Sequence, residues 1–195
     1  MGLFLAEGGV AGHMNHLYDN PDLTFKKMKQ IFLAASSGEL KGTEKTDGQN
    51  LQLSYDIRTS SARAARNKGN IKSGGLDAAG LAAKFGGRGA LENAFNDAFA
   101  AFEEVVGRMS IEEREEIFGP EVNVYYNAEV QDPRAANLIN YDLPTLTIHR
   151  VGHNEYDRET GKATGRDVSK NARKLADALE RVQGEREEGR FYVQM

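Results

Sequence analysis

The chain has 195 residues, a formal net charge of -4, no cysteine and no tryptophan. This length suits a single domain spanning 1–195, and the slight negative charge disfavours a globally basic nucleic-acid binder, so a polynucleotide contact would need a local patch. The lack of cysteine excludes disulfides, thiolate metal sites and cysteine nucleophiles, and no apolar run approaches the roughly 20 residues of a membrane span, so we expect a soluble, cytoplasmic protein without a membrane contact.

The N-terminal part should contain one helix. Residues 1–22 are expected to be irregular because glycines interrupt any period, and His13 and His16 are too few to complete a zinc site. Apolar spacing predicts a helix from about Leu23 or Thr24 to Ser36, ended by Gly38. Its lysines are expected to form an ordinary solvated face: Lys26, Lys27 and Lys29.

Three strands should follow as a meander, over about Lys41 to Lys45, Leu51 to Arg58 and Ala62 to Arg66. Asp47-Gly48 is typical of a tight turn between the first two. A nucleophilic lysine must lose its proton well below its usual pKa of about 10.4, and a strand end before a turn would aim Lys45 rigidly. By spacing alone, a simple hairpin turn beside a solvated lysine is the favoured interpretation, since two-residue turn signals are common.

Residues 70–90 are rich in glycine and alanine and predict a flexible loop able to close over a substrate, with a helical piece at Leu76 to Phe85. Apolar spacing then predicts a long helix from about Ala90 to Met109 whose stripe is core. Ser110 and Glu113 form a capping-box pattern that begins a short helix.

The remaining elements complete an α+β domain. We expect strands at about Val122 to Val130 and Thr145 to Val151, a polar hairpin or surface loop at 152–166, a helix at about Val168 to Gln183 and a short strand at Arg190 to Gln194. The fold class is therefore an antiparallel sheet flanked by helices.

The segment Glu44-Lys45-Thr46-Asp47-Gly48-Gln49-Asn50 resembles the nucleotidyl-lysine motif of the ATP-dependent polynucleotide ligases. The asparagine after the glycine is closer to the bacteriophage-type RNA ligases than to the DNA ligases. The resemblance implies that Lys45 is the catalytic nucleophile, which attacks the alpha phosphate of ATP with the help of Mg²⁺ and holds AMP through a phosphoramide bond. It also implies the fold of a ligase adenylation domain.

Two further stretches are similar to this family. Ala64 to Gly69 places Arg66 where RNA ligases carry an arginine that contacts phosphate or sugar. Val122 to Val130 resembles the third motif and ends in Glu129, although Ala128 stands where the family has glycine. The resemblance implies that ATP is bound by Glu44, Asp47, Gly48, Asn50, Arg66, Lys68 and Glu129. It implies Asp47 and Glu129 as metal ligands.

The C-terminal part follows the family less closely. Glu188 to Val193 has the outline of the fourth motif, with Arg190 in place of an apolar residue, and no fifth motif with two lysines follows. In the family these two lysines neutralise the triphosphate. Three alternatives follow: other lysines supply the positive charge, the chain is the front part of a longer domain, or full ligase activity has been lost. The first seventy or so residues also resemble proteins of large tailed phages, which suggests a phage protein in the host cytoplasm or on the virion.

The expected function is an ATP-dependent, RNA-ligase-like nucleotidyltransferase that forms a lysyl-AMP for transfer to an RNA or DNA 5′ phosphate. One alternative is a phage structural or accessory protein that keeps the scaffold without turnover and binds other phage structural proteins. Another is a module that binds nucleotide or nucleic acid without a covalent step. The sequence leaves the preferred base, the acceptor and the oligomeric state open.

Overall fold

The computed structural model describes residues 21–40, 47–150 and 152–195. Its contacts divide the chain into two compact units, Met1–Thr46 and Asp47–Met195. In the described part of the first unit, helix α1 (Phe25–Ser36) begins where predicted, because the Thr24 side chain accepts a hydrogen bond from the Lys27 N–H at 3.3 Å. The predicted strand Lys41 to Lys45 lies outside the described residues.

The second unit combines strands and helices in a mixed order along the chain. Its elements are β1 (Gln49–Asp56), β2 (Ser61–Ala65), α2 (Lys68–Lys72), α3 (Ala78–Phe85), α4 (Ala90–Gly107), α5 (Ile111–Phe118), β3 (Val124–Gln131), β4 (Thr145–Ile148), β5 (Asn154–Glu155), α6 (Ser169–Val182) and β6 (Tyr192–Gln194). A 3-10 turn at Pro133–Ala135 follows β3.

The strands form one sheet with the order β2-β1-β3-β4-β6, and β5 pairs with β3. All pairs in the described residues are antiparallel except β4 with β6, which run parallel. The α+β class is therefore confirmed, and the sheet is mixed, where an antiparallel sheet was predicted. The apolar pattern of a strand does not determine which sheet edge it joins or in which direction. Parallel neighbours need a long crossover connection, and here the chain between β4 and β6 passes through α6.

Alternation along the strands divides the sheet into two faces. Leu51, Leu53 and Tyr55 of β1 enter the hydrophobic core, as do Tyr126 and Ala128 of β3. The residues between them place polar side chains on the opposite face: Asn50, Gln52 and Ser54 of β1, and Asn127 and Glu129 of β3. The candidate site belongs to this second face and to the sheet end beside it.

Helices cover the core face. Helix α4 contacts β2, β3, β4 and β6, and its buried stripe includes the phenylalanines predicted as core: Phe95, Phe99 and Phe102. The Ser110 capping box predicted from sequence begins α5. Helix α6 packs on α5 and begins within one residue of its predicted start.

The glycine-rich segment 70–90 contains the end of α2 and all of α3, so it is more ordered in secondary structure than a simple loop. Ile71, Leu81 and Phe85 are buried, and the Phe85 ring stacks on Phe95 with centroids 4.1 Å apart. Its movement as a flap stays a prediction. Within the described ranges, we find no helix with the length and apolar character that a membrane span requires.

Candidate functional site

The candidate site lies where the start of β1 meets the end of β3. The antiparallel register places Asn50 opposite Glu129 and Gln49 opposite Val130. Gly48 packs so closely on β3 that a Cβ atom there would lie 2.8 Å from the carbonyl oxygen of Val130. The glycine is therefore required by the close approach of two backbones.

Asp47 anchors the segment that follows the 3-10 turn. Its carboxylate accepts hydrogen bonds from the side chain of Asn137 at 2.7 Å and from the N–H groups of Leu138 and Ile139 at 2.6 Å each. Its own N–H donates to the Tyr141 hydroxyl at 3.0 Å. Hydrogen bonds to an ionised acceptor are stronger than neutral ones, so Asp47 positions this segment beside the site. Its predicted role as a metal ligand stays a prediction.

Asn50 is tied to the neighbouring strand by its side chain. Its Nδ2 donates to Oδ1 of Asn127 at 2.5 Å across the β1–β3 pair. Further along the same face, the Thr147 hydroxyl donates to Gln131 at 2.6 Å and accepts from Gln194 at 3.1 Å. Cross-strand amide and hydroxyl pairs of this kind fix side-chain orientation and offer hydrogen bonds to a polar ligand.

Arg66 lies directly after β2 and reaches β1. Its Nη1 donates to the backbone carbonyl of Asn50 at 2.6 Å, and its guanidinium lies 5.8 Å and 5.3 Å from the ring centroids of Phe85 and Phe95. Burial lowers the pKa of Arg66, whereas the negative charge of Glu129 raises it. The guanidinium stays charged at neutral pH and has N–H donors left for a phosphate or a sugar hydroxyl.

Glu129 supplies the carboxylate of the site. Its side chain is 16% exposed, and Oε1 lies 3.7 Å from Nε2 of His149. Oε2 is buried and has no hydrogen-bond partner among the described residues. A buried carboxylate oxygen without a donor is unfavourable for the protein alone, and a hydroxyl group or a cation would satisfy it.

The structure thus brings together four of the predicted site residues, Gly48, Asn50, Arg66 and Glu129, and Asp47 lies two residues before β1. Lys68, also predicted, is exposed on α2 and makes no hydrogen bond to the other four in the described structure. Glu44 and Lys45 lie outside the described residues.

The stretch that resembles the fourth family motif lies on the edge of the sheet beside α4. Arg190 forms ion pairs with Glu104 at 3.0 Å and with Glu187 at 3.0 Å. Its charge is therefore engaged in holding the C-terminal segment on α4, and among the described residues no hydrogen bond or ion pair joins this stretch to Glu129.

Sequence reasoning missed several neighbours of the site. Asn127 alternates with core residues on β3, so a period-two pattern on the polar face would have indicated it. Asn137 gave no such signal, because it reaches Asp47 from a loop 90 positions away.

No cluster of three or more histidine and carboxylate side chains suited to a metal occurs in the part of the chain that is described. Comparison with protein-family models, with curated proteins and with solved structures finds no match to this chain. Function must therefore be inferred from the site residues themselves.

Proposed function

We propose that this chain is an ATP-dependent nucleotidyltransferase of the RNA-ligase type. Lys45 becomes covalently linked to AMP, and the AMP is then transferred to the 5′ phosphate of an RNA or DNA end. The α+β unit serves as the adenylation domain. A bacteriophage origin, with action in the host cytoplasm or on the virion, belongs to the same proposal.

The observation that carries the proposal is the convergence of motif residues that are far apart in the sequence. Asn50 pairs in the sheet with Glu129, which lies 79 positions later in the sequence (129 − 50). Arg66 donates a hydrogen bond to the backbone carbonyl of Asn50. An arginine, a carboxylate and an amide at one sheet end form a polar site suited to a nucleotide. In the sequence, Lys45 lies two positions before Asp47 and five positions before Asn50.

The chemistry comprises two displacements at the alpha phosphorus of ATP. In the first, Nζ of Lys45 forms a bond to this phosphorus, the bond to the bridging oxygen breaks, and pyrophosphate leaves while the amine loses its proton to solvent. In the second, an oxygen of the polynucleotide 5′ phosphate attacks the same phosphorus, the phosphorus–nitrogen bond breaks, and the lysine amine regains a proton.

The residues present fit the binding of Mg²⁺ and the sugar. Mg²⁺ is usually held by one or two carboxylates together with substrate phosphates, and it neutralises charge that develops on those phosphates. Glu129 has a buried oxygen without a partner in the described chain, suited to a ribose hydroxyl or to the cation. Asp47 is the second carboxylate of the proposal.

The other residues take positioning roles. Arg66 holds ribose or phosphate through its remaining N–H groups, and Lys68 adds positive charge for the phosphates. Glu44 contributes to recognition of the base. Gly48 and Asn50 hold β1 against β3, so that the carboxylate of Glu129 keeps its place.

The decisive experiment is to incubate the full chain with ATP labelled at the alpha phosphate and Mg²⁺, and to look for acid-labile label on the protein by gel and intact mass. We expect label on the parent and none on Lys45→Ala, because the nucleophile is absent. The matched control is Lys170→Ala, which removes an exposed lysine of α6 and should be labelled like the parent.

Glu129→Gln provides a second variant of the same size. It should fold and lose most of the label, since a neutral amide neither binds Mg²⁺ nor accepts a hydroxyl as strongly as a carboxylate. A folded parent that takes no label would refute the proposal. Non-covalent ATP binding in that case would identify a binding module, and its absence would favour a structural or accessory role.

A further inference from the structure

Helix α1 presents an exposed face on which aromatic and cationic side chains alternate. Phe25 is 90% exposed and Phe32 is 60% exposed. Lys29 follows Phe25 by four positions and precedes Phe32 by three, so all three side chains lie on one face of the helix. At a rise of 1.5 Å per residue, the two phenylalanines are about 10 Å apart along the axis.

All charged side chains of α1 are cationic. The helix carries Lys26, Lys27 and Lys29 and contains no acidic side chain. None of these lysines has a salt-bridge partner in the ranges that the structure describes. In a chain of net charge -4, this is a local positive surface that attracts a polyanion.

We infer that this face of α1 binds single-stranded nucleic acid, with bases stacked on Phe25 and Phe32 and a phosphate held by Lys29. This inference rests on the proposed function in one respect, because it assigns α1 to the polynucleotide whose end is modified. Aromatic platforms interleaved with cations are typical of sequence-tolerant single-strand binding, since every base has a stacking face and every nucleotide a phosphate.

The interleaving favours a nucleic acid over a lipid surface. A helix that lies on a bilayer has a continuous apolar face and keeps its lysines on the opposite, polar face. Here Lys29 lies between Phe25 and Phe32 along the helix, the place of the phosphate that joins two bases stacked on the rings. A strand of nucleic acid needs that cation at that place.

The test uses the full chain and a fluorescein-labelled oligouridylate RNA, with binding followed by anisotropy. The double variant Phe25→Leu and Phe32→Leu keeps the apolar character and the helix but removes both rings. One stacked base contributes about 1–3 kcal/mol, so we expect affinity to fall about 5- to 150-fold for each ring lost. The double variant with tyrosine at both positions should bind like the parent, because tyrosine also stacks.

Lys29→Gln tests the phosphate contact. It should lower the slope of log affinity against log salt by about 0.7, the value for one single-strand phosphate contact. The matched controls are Lys170→Gln on α6 and Ile111→Ala, an exposed apolar residue of α5, and both should bind RNA like the parent. Circular dichroism verifies that each variant is folded.

Undiminished RNA binding by the leucine double variant would overturn the inference. The inference would also be overturned if the parent protein did not bind RNA but bound vesicles of phosphatidylserine and phosphatidylcholine, and the leucine variant bound these vesicles equally well. The RNA assay contains no ATP, so it is independent of the labelling of Lys45. A chain that takes no label but binds RNA through its phenylalanines would refute the ligase proposal and support the role of α1.

Discussion

The carboxylate of Asp47 accepts three hydrogen bonds from donors that lie 90 to 92 positions later in the chain. Two of these donors are backbone N–H groups, so the bonds fix the path of the segment and not only a side chain. Leu138 in that segment is 91% exposed, and apolar burial therefore contributes little to holding it. The position of the segment beside the site depends largely on Asp47.

Asp47→Asn should release this segment. The amide would turn its oxygen to the backbone donors only at the cost of placing its NH₂ group against the donor of Asn137. We expect the free energy of unfolding to fall by about 1–3 kcal/mol, as for a lost charged acceptor, and hydrogen exchange at Leu138 and Ile139 to accelerate. Urea unfolding and exchange measured by mass spectrometry verify both effects.

Asp142→Asn is the control for this change, because it alters an exposed aspartate of the same loop. Exchange of Leu138 that is as slow in Asp47→Asn as in the parent would contradict the anchoring role. The exchange experiment contains neither ATP nor Mg²⁺, so its outcome does not depend on whether Asp47 also binds a metal.

The sequence could indicate which residues belong to the site, because their chemical types are informative. It could not indicate which residues contact one another there. The motif from Glu44 to Asn50, Arg66 and Glu129 could be predicted as site residues, because their chemical types and order resemble those of a known family. The hydrogen bond that Asn137 donates to the Asp47 carboxylate and the one that the Asp47 N–H donates to the Tyr141 hydroxyl could not be predicted, since they depend on how a loop folds back in three dimensions.

Secondary-structure elements were predictable in proportion to their length and periodicity. Helices α4 and α6 were expected within two residues of their observed ends, because a long apolar stripe defines them. Strand β1 begins at Gln49, two residues before its predicted start. The earlier start comes from pairing with β3, which extends the ladder to Gln49, directly after the predicted turn.

Gly48→Ala tests the contact between these two strands. A methyl group would lie 2.8 Å from the carbonyl oxygen of Val130 and 3.1 Å from Cβ of Glu129, so one strand has to move. We expect a loss of about 1–3 kcal/mol in the free energy of unfolding and a reduced yield of AMP label, because the displaced strand carries Glu129.

The control is Gly184→Ala, whose Cβ atom would meet nothing within 4 Å. It should leave both the stability and the label yield near those of the parent. Equal effects of the two substitutions would show that the close packing of Gly48 on β3 has no special importance.

The stability of the whole second unit should depend on pH through His153. Both imidazole nitrogens are buried, and the ring lies against Tyr126 with centroids 4.9 Å apart. Burial, followed by the nearby charge of His149, lowers the pKa of His153 from 6.5 to about 4. The folded protein therefore holds this side chain neutral in a range where the unfolded chain would protonate it.

The sign follows from that difference. Between pH 6.5 and about 4 the unfolded state binds more protons at His153 than the folded state does. The stabilisation that comes from the neutral His153 is therefore fully present above pH 6.5 and is lost as the pH falls through this window. The loss should reach about 3 kcal/mol, which is the pKa difference at 1.36 kcal/mol per unit.

Urea unfolding at a series of pH values measures this loss. His153→Phe should flatten the dependence while keeping a ring against Tyr126. The pKa of Asp56 is also lowered, since hydrogen bonds from Arg63 and Thr59 outweigh its burial, but its contribution is lost only below its ordinary value of 3.8. An unchanged pH profile in His153→Phe would contradict the assignment.

The parallel pairing of β4 with β6 has a consequence for the newly made chain. Translation proceeds from the N-terminus, so β4 has to wait for residues 192–194 to leave the ribosome before its second neighbour is available. During that interval its backbone groups form an open edge able to pair with a nascent neighbour on the same messenger RNA. Slow translation between β4 and β6 would lengthen this stage and increase the demand for chaperones.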